Sequence, residues 1–263
     1  METKSKLWVG LGVVVAASTA LYGCSSDSEM DAMDHSAMSA EEGGEGGEGA
    51  STAEATQSDT VYLGQLAFIR GHLNVGVNLY QEGYNEGAVT HMKHPGDEIY
   101  TNLLPAMEAR DAVGFAEELE ALANAIESGA SKEQVEEVYQ ALLSSIGDAE
   151  AVVSDIEAKD LGLVIVDLVR IAAAEYDIAV ADDGSLENEH EYQDSLGFVR
   201  IAKELLTKLS TMTDNAEAVA SIEQQLDALL PIWPSIRAPE HLEAQPSQIY
   251  GAAGSIEFAL NDL

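Results

Sequence analysis

Residues 71–100, GHLNVGVNLYQEGYNEGAVTHMKHPGDEIY, decide the fold that this sequence predicts. The apolar residues that lead into and through their first half recur at helical spacing, from Val61 to Tyr80. Gly83 and its neighbours then supply a turn, and residues 86–94 resume as a short helix. The stretch therefore predicts a hairpin of two antiparallel helices. Most of the remaining chain is rich in alanine, leucine and glutamate at the same spacing, so we expect an all-α, antiparallel helical bundle.

Pro95 sets the helix boundary that we expect near the end of this stretch. Pro95 disfavours helical geometry at His94 and suits the first position of a helix, with Asp97 and Glu98 in its first turn. One helix should therefore end at His94 and another should start at Pro95.

Residues 161–174, LGLVIVDLVRIAAA, are apolar nearly all round. A strand is conceivable there, but the length and the alanine-rich flank favour a buried central helix.

Three histidines of the hairpin suit a metal site. Counted from a turn at Tyr84, His72 lies about 18 Å along one helix and His94 about 15 Å along the other. His91 is three residues from His94 and shares its helix face, and Glu98 follows one turn later. This donor set suits iron, zinc or copper. The first-choice metal ligands are therefore His72, His91, His94 and Glu98. The alternative is that these histidines are structural, in a hairpin whose leucine, glycine and alanine serve only interhelix packing.

The charge of the chain excludes some classes of partner. It has 12 basic and 47 acidic residues, a formal net charge of −35. Such a chain is repelled by nucleic acid and by anionic lipid surfaces. The same charge is compatible with cation binding, or simply with solubility in a salty environment.

The first 23 residues have the pattern of a secretory signal peptide. Lys4 and Lys6 precede an apolar run, residues 7–20, that is too short for an ordinary membrane span. The next four residues, Leu-Tyr-Gly-Cys, resemble a bacterial lipobox. The resemblance implies that Cys24 becomes the lipidated first residue of the mature protein. Ser25, in place of aspartate, favours the outer membrane over the inner one.

Residues 24–58 have the composition of a disordered acidic tether. They consist mainly of Ser, Asp, Glu, Gly, Ala and Met, and they include the low-complexity run EEGGEGGEGA. One patch in the tether places three thioethers around one imidazole, and soft sulfur and nitrogen ligands suit copper(I). The patch consists of Met30, Met33, His35 and Met38. It resembles the Met/His repeats of periplasmic copper-resistance proteins. Chance composition of a linker is the alternative. We take residues 59–263 as the helical-bundle domain.

A second group of candidate ligands comes from a resemblance. The run Glu175-Tyr176-Asp177, with Asp182-Asp183-Gly184 and residues 191–194, Glu-Tyr-Gln-Asp, is similar to the periplasmic helical-bundle extension of bacterial high-affinity iron permeases. The permeases' membrane spans and Arg-Glu-x-x-Glu motifs do not occur in this sequence, so the resemblance implies only the chemistry of the soluble bundle. Carboxylates and a phenol are hard oxygen ligands suited to ferric iron. The second group of candidate ligands consists of Glu175, Tyr176, Glu191 and Asp194. A solvated corner with a packed tyrosine is the alternative.

These observations define one expected function and two alternatives. We expect a lipid-anchored bundle in the cell envelope, at the outer membrane facing the periplasm, that binds a transition metal or a metal-containing ligand. Iron handling is the most plausible role, with a metal-transport protein as partner. The alternatives are a non-catalytic structural or protein-interaction bundle, and a periplasmic copper-binding protein that uses the tether. We do not expect an enzyme, because no serine or cysteine accompanies the histidines in a recognisable catalytic arrangement.

Overall fold

A computed structural model describes residues 51–263, except for the side chains of Lys93, His94, Asp97 and Glu98. Over these residues the fold is all-α, with isolated β-bridges but no strand. The expected helical bundle is therefore confirmed. The helices are α1 (Thr52–Gln57), α2 (Asp59–Glu82), α3 (Asn85–His94), α4 (Thr101–Glu108), α5 (Ala116–Glu127), α6 (Lys132–Ala151), α7 (Ala158–Ala179), α8 (Glu189–Leu209), α9 (Ala216–Leu229) and α10 (Pro246–Ala259).

The core lies where α2, α7 and α8 meet. The apolar run at residues 161–174 falls inside α7, so the alternative of a strand is wrong and the buried central helix is correct. The helices α7 and α8 pack antiparallel, and the Ser195 hydroxyl of α8 donates to the Ala172 carbonyl of α7 over 2.6 Å. Completely buried side chains such as Ile165 and Phe198 fill the space between these helices. This burial supplies most of the driving force for folding.

The helical hairpin of α2 and α3 forms as the sequence predicts. Gly83 ends α2 with φ +85°, and its backbone N–H donates to the carbonyls of Leu79 and Tyr80. A side chain is strained in this left-handed conformation, so glycine is the natural residue at the turn. The short connection returns α3 against α2 and brings His91 back towards the middle of the bundle.

The expected break between His94 and Pro95 is wrong. The helical path continues from α3 through a π-helical turn at Pro95–Tyr100 directly into α4. Proline has no N–H to donate, and the wider π turn accommodates the missing hydrogen bond without ending the helix. Pro95 itself keeps helical geometry, with φ −60° and ψ −34°. Asp97 and Glu98 are therefore within a continuing helix instead of at a new helix start.

The expected N-terminal features fall largely outside the described residues. These include the signal peptide, the lipidated Cys24 and the copper patch of Met30, Met33, His35 and Met38. Where the description begins, Ser51 and Glu54 form a capping box on α1, and Ala55 is buried. Ordered structure therefore begins at least seven residues before the expected domain start at Asp59. Within residues 51–263, no helix has both the length and the apolar character needed to cross a bilayer.

Candidate metal centre

The carboxylate of Asp194 is the focus of a buried cluster of histidines. Asp194 lies on α8, and its Oδ1 is 2.7 Å from Nδ1 of His72 on α2. The same oxygen is 3.1 Å from Nδ1 of His91 on α3. The side chains of these three residues are at most 2% exposed. The two hairpin helices, α2 and α3, thus deliver one imidazole each to a carboxylate oxygen of α8, 122 residues beyond His72.

The second oxygen of Asp194 faces a third imidazole. His190 lies one turn earlier on α8, and its Nε2 is 3.0 Å from Asp194 Oδ2. Its ring stacks on that of His91 with centroids 4.0 Å apart and an interplanar angle of 9°. Each oxygen of the carboxylate therefore has its own imidazole partners.

Gln193 orients the ring of His91. Its Oε1 is 2.8 Å from His91 Nε2, which donates its proton to that amide oxygen. This tautomer leaves a lone pair on Nδ1, and Nδ1 makes no hydrogen bond of acceptable geometry. The lone pair faces the carboxylate oxygen of Asp194 only 3.1 Å away. A neutral His91 ring thus presents an acceptor to a carboxylate, and either a proton on the ring or a bound metal ion would remove the repulsion between them.

The electrostatics keep Asp194 ionised. Burial acts to raise the pKa of this carboxyl, but the charges of His72 and His91 and the hydrogen bonds from His190 and His72 outweigh it. The pKa of Asp194 is therefore well below its usual value. An ionised carboxylate beside imidazoles is the state in which these side chains bind cations.

Glycines at the contacts between helices allow the cluster to assemble. A Cβ on Gly197 of α8 would lie 2.6 Å from the Gly71 carbonyl oxygen of α2, so only glycine permits this approach. A Cβ on Gly76 would lie 2.1 Å from Cε of Met92, where α3 packs on α2. The space beside these glycines is thus occupied by the protein itself, by a neighbouring helix and by side chains. The packing beside Gly71 and Gly76 leaves no room for a flat ligand to approach.

Aromatic rings surround the inner side of the cluster. The ring of His72 meets the rings of Phe68 and Phe198 edge to face, with centroids 4.8 Å and 5.1 Å away. The two phenylalanines stack on each other at 4.6 Å. These apolar walls limit the rotation of the imidazole and lower the local dielectric, which strengthens electrostatic interactions inside the cluster.

The donor set and its spacing fit a transition metal. Two ligand atoms with bonds of about 2.1 Å at a right angle lie about 3.0 Å apart. The distance from His91 Nδ1 to Asp194 Oδ1, 3.1 Å, is close to that separation. Two histidines and one carboxylate are also the ligand set of many non-haem Fe(II) centres. The residues present therefore suit an iron ion.

The candidate ligands named from sequence have different positions in the structure. His72 and His91 come together at Asp194, which belongs to the second group. Glu191, also of the second group, lies with His190 and Asp194 in an adjacent set whose ligand atoms are within 4.8 Å of one another. The two groups predicted separately thus share one carboxylate. The side chains of His94 and Glu98 lie outside the described residues.

The other two members of the second group are Tyr176 and Glu175. Burial raises the pKa of Tyr176 to about 12, so its phenol stays protonated at neutral pH. Its ring packs against Trp233 and Tyr192, with centroids 5.9 Å and 6.4 Å away. Glu175 is buried on α7 and, among the described residues, is in neither set of ligand atoms around Asp194.

Sequence reasoning missed His190 and the role of Gln193. The signal for His190 was its position four residues before Asp194, which was already a candidate ligand. Residues four apart share a helix face. Gln193 was part of the quoted pattern, but its contact with His91 joins positions 102 residues apart. No local pattern encodes such a contact.

The fold and this cluster define an all-α bundle with a buried histidine–aspartate centre. Residues 154–263 match the family described as the iron permease-associated 4-helix bundle domain. The match covers α7 to α10 and includes His190 and Asp194, while His72 and His91 precede it. It confirms the resemblance to iron-permease bundles over this part of the chain. No curated protein and no solved structure is significantly similar to the chain.

Proposed function

We propose that this protein is an extracytoplasmic helical bundle that binds an iron ion between His72, His91 and Asp194 and serves iron handling. The family match associates α7 to α10 with iron permeases, so the partner in this proposal is an iron-transport protein. The lipobox adds an anchor at Cys24 to the cell envelope, at the outer membrane facing the periplasm. We infer binding and delivery of the ion, without catalysis.

One observation carries the proposal. Nδ1 of His91 and Oδ1 of Asp194 face each other at 3.1 Å in the core, with Gln193 holding the other ring nitrogen. Proteins commonly orient a metal-binding histidine by a hydrogen bond to its other ring nitrogen. This bond fixes the tautomer whose lone pair faces the metal ion. Burial of two acceptors that face each other is costly, and a bound cation removes that cost.

The absence of catalysis is part of the proposal and has support at the centre. The hydroxyl of Ser195, the residue after Asp194, donates to the Ala172 carbonyl and so is not held by a base. The three proposed ligands are buried, so an organic substrate would need the helices to separate. A small ion needs much less movement.

The first test is iron binding by the full-length chain, purified in detergent and stripped with chelator. Addition of Fe(II) without oxygen should give protein-bound iron and raise the melting temperature. At a free concentration of about 100 times Kd, binding stabilises by about 2.7 kcal/mol. For a domain of this size we expect a rise of about 5–10 °C. Chelator should reverse it.

Variants assign the bound iron to the centre. His72→Gln and His91→Gln keep a side chain that can hydrogen-bond Asp194 but should abolish the iron-dependent rise. His241→Gln is the matched control, since His241 is exposed in the loop before α10. Circular dichroism of the metal-free proteins checks that each variant folds. Wild-type protein that binds no iron would refute the proposal. Binding of copper alone, unaffected by these variants, would instead favour the tether.

A further inference from the structure

We infer that the centre has a second metal position, in which His190, Glu191 and Oδ2 of Asp194 bind another iron ion and Asp194 bridges the two. This inference rests on the proposed function, because it extends the same centre. The ligand atoms of these three residues lie within 4.8 Å of one another. The first position, defined by His72 and His91, uses the other oxygen of the same carboxylate.

The division of the two carboxylate oxygens points to a bridge. Oδ1 of Asp194 faces His72 and His91, whereas Oδ2 faces Nε2 of His190 at 3.0 Å. A carboxylate that offers one oxygen to each side holds metal ions about 3.5–4 Å apart, the usual spacing of two-metal sites. The stacked rings of His91 and His190, 4.0 Å apart, match this spacing, with one ring serving each ion.

Glu191 is positioned for this role by its own helix end. Asn188 caps α8 by accepting from the His190 N–H, and its side-chain amide donates to Glu191 Oε1 over 3.2 Å. Asn188 thus contacts the Glu191 carboxylate directly and fixes the backbone at His190. The positive end of a helix disfavours a nearby cation, and the acidic residues of the first turn, Glu189 and Glu191, offset this effect.

The second position lies closer to solvent than the first. The His190 side chain is 14% exposed, compared with 1% for His72 and 0% for His91. An ion that arrives from solvent therefore meets His190 and Glu191 before it reaches the inner pair. The shared Asp194 gives a direct path from the outer position to the inner one, because the ion keeps this carboxylate as a ligand while it exchanges His190 and Glu191 for His72 and His91.

Metal stoichiometry tests the second position. Full-length protein is equilibrated with excess Fe(II) without oxygen, separated from free metal and assayed for iron. We expect two iron ions per chain in wild type, one in His190→Gln and two in His241→Gln. Wild-type protein with one ion, unchanged in His190→Gln, would overturn the second position and leave the proposed function intact. Wild-type protein with no iron would overturn both.

A measurement on wild-type protein avoids any dependence on how the variants fold. After oxidation, two ferric ions bridged by a carboxylate couple magnetically, so the electron paramagnetic resonance signal of isolated high-spin ferric ions should be largely absent. His190→Gln should restore that signal for its single remaining ion. A full isolated-ion signal from wild-type protein with bound iron would contradict the bridge, since it shows uncoupled sites.

Discussion

At the scale of single residues, Gln193 is the most informative position in the centre. It binds no metal in the proposed arrangement. Its Oε1 accepts a hydrogen bond from His91 Nε2 and so determines which ring nitrogen faces Asp194. The rest of the Gln193 side chain is buried. A change here alters the orientation and basicity of a ligand while all the ligands themselves remain.

Gln193→Leu therefore makes a specific prediction. Loss of this kind of outer contact typically weakens metal binding about 10–100-fold. We expect iron affinity to fall in that range while the number of ions bound at saturation stays the same, measured by competition with a chelator of known affinity. Gln140→Leu, on the exposed face of α6, is the control and should bind like wild type. An unchanged affinity in Gln193→Leu would mean that the tautomer of His91 is set in another way.

Sequence reasoning at this scale reached only part of the centre. Counting residues from the turn placed His72 and His94 near one level of the hairpin, because helix rise is regular, with His91 on the helix face of His94. It could not connect His72 with Asp194, 122 residues away, because that contact depends on how α8 packs against the hairpin. Asp194 was named from a family resemblance, and nothing in the sequence joined the two groups.

At the scale of helices, the closest approach of α2 and α8 governs the geometry of the centre. Gly197 meets the backbone of Gly71 one turn beyond Asp194, next to His72. Because the obstruction would be backbone, the helices themselves must separate to accept a side chain there. The imidazole of His72 and the carboxylate of Asp194 would then move apart.

Gly197→Ala should destabilise the fold and weaken the centre together. The added Cβ would lie 2.6 Å from the Gly71 carbonyl oxygen and 2.7 Å from Cγ2 of Val75. Overpacking of this kind costs about 1–3 kcal/mol, measurable by urea unfolding of the metal-free protein. We also expect weaker iron binding.

Gly64→Ala is a matched control in α2, where a Cβ meets nothing within 4 Å. It should stabilise by about 0.5–1 kcal/mol, since alanine favours helices over glycine. Equal stability of the two variants would contradict this account.

The helices themselves were largely predictable. Apolar spacing located α2, and the apolar run at residues 161–174 located α7. Pro95 was the exception, because local sequence rules treat proline as a boundary. They do not foresee a π turn, which tertiary packing on both sides keeps in place.

At the scale of the whole molecule, charge dominates the behaviour in solution. A formal net charge of −35 opposes compaction through self-repulsion. The core of α2, α7 and α8 must overcome that repulsion at low ionic strength. Salt shortens the range of the repulsion, from a Debye length of about 10 Å at 0.1 M to about 3 Å at 1 M.

The metal-free protein should therefore become more stable as salt is added. We expect the melting temperature to rise by a few degrees between about 0.05 M and 0.5 M NaCl, since screening weakens the repulsion more than it weakens the few ion pairs. Chelator is kept in all samples, so that trace metal cannot cause the rise. KCl should act like NaCl, because the effect is one of ionic strength. A melting temperature that falls with salt would show that attractive ion pairs outweigh the repulsion.

The loop at residues 153–157 divides the chain between the two halves of the centre. His72 and His91 lie before it, and His190 and Asp194 lie after it. A chain opened at this loop would become two polypeptides, each with an incomplete set of ligands. In the proposed arrangement, iron would strengthen the association of the two pieces, which the packing of α2 on α7 and α8 also favours. If the proposed centre binds iron, the affinity of the two fragments for each other would therefore report the metal.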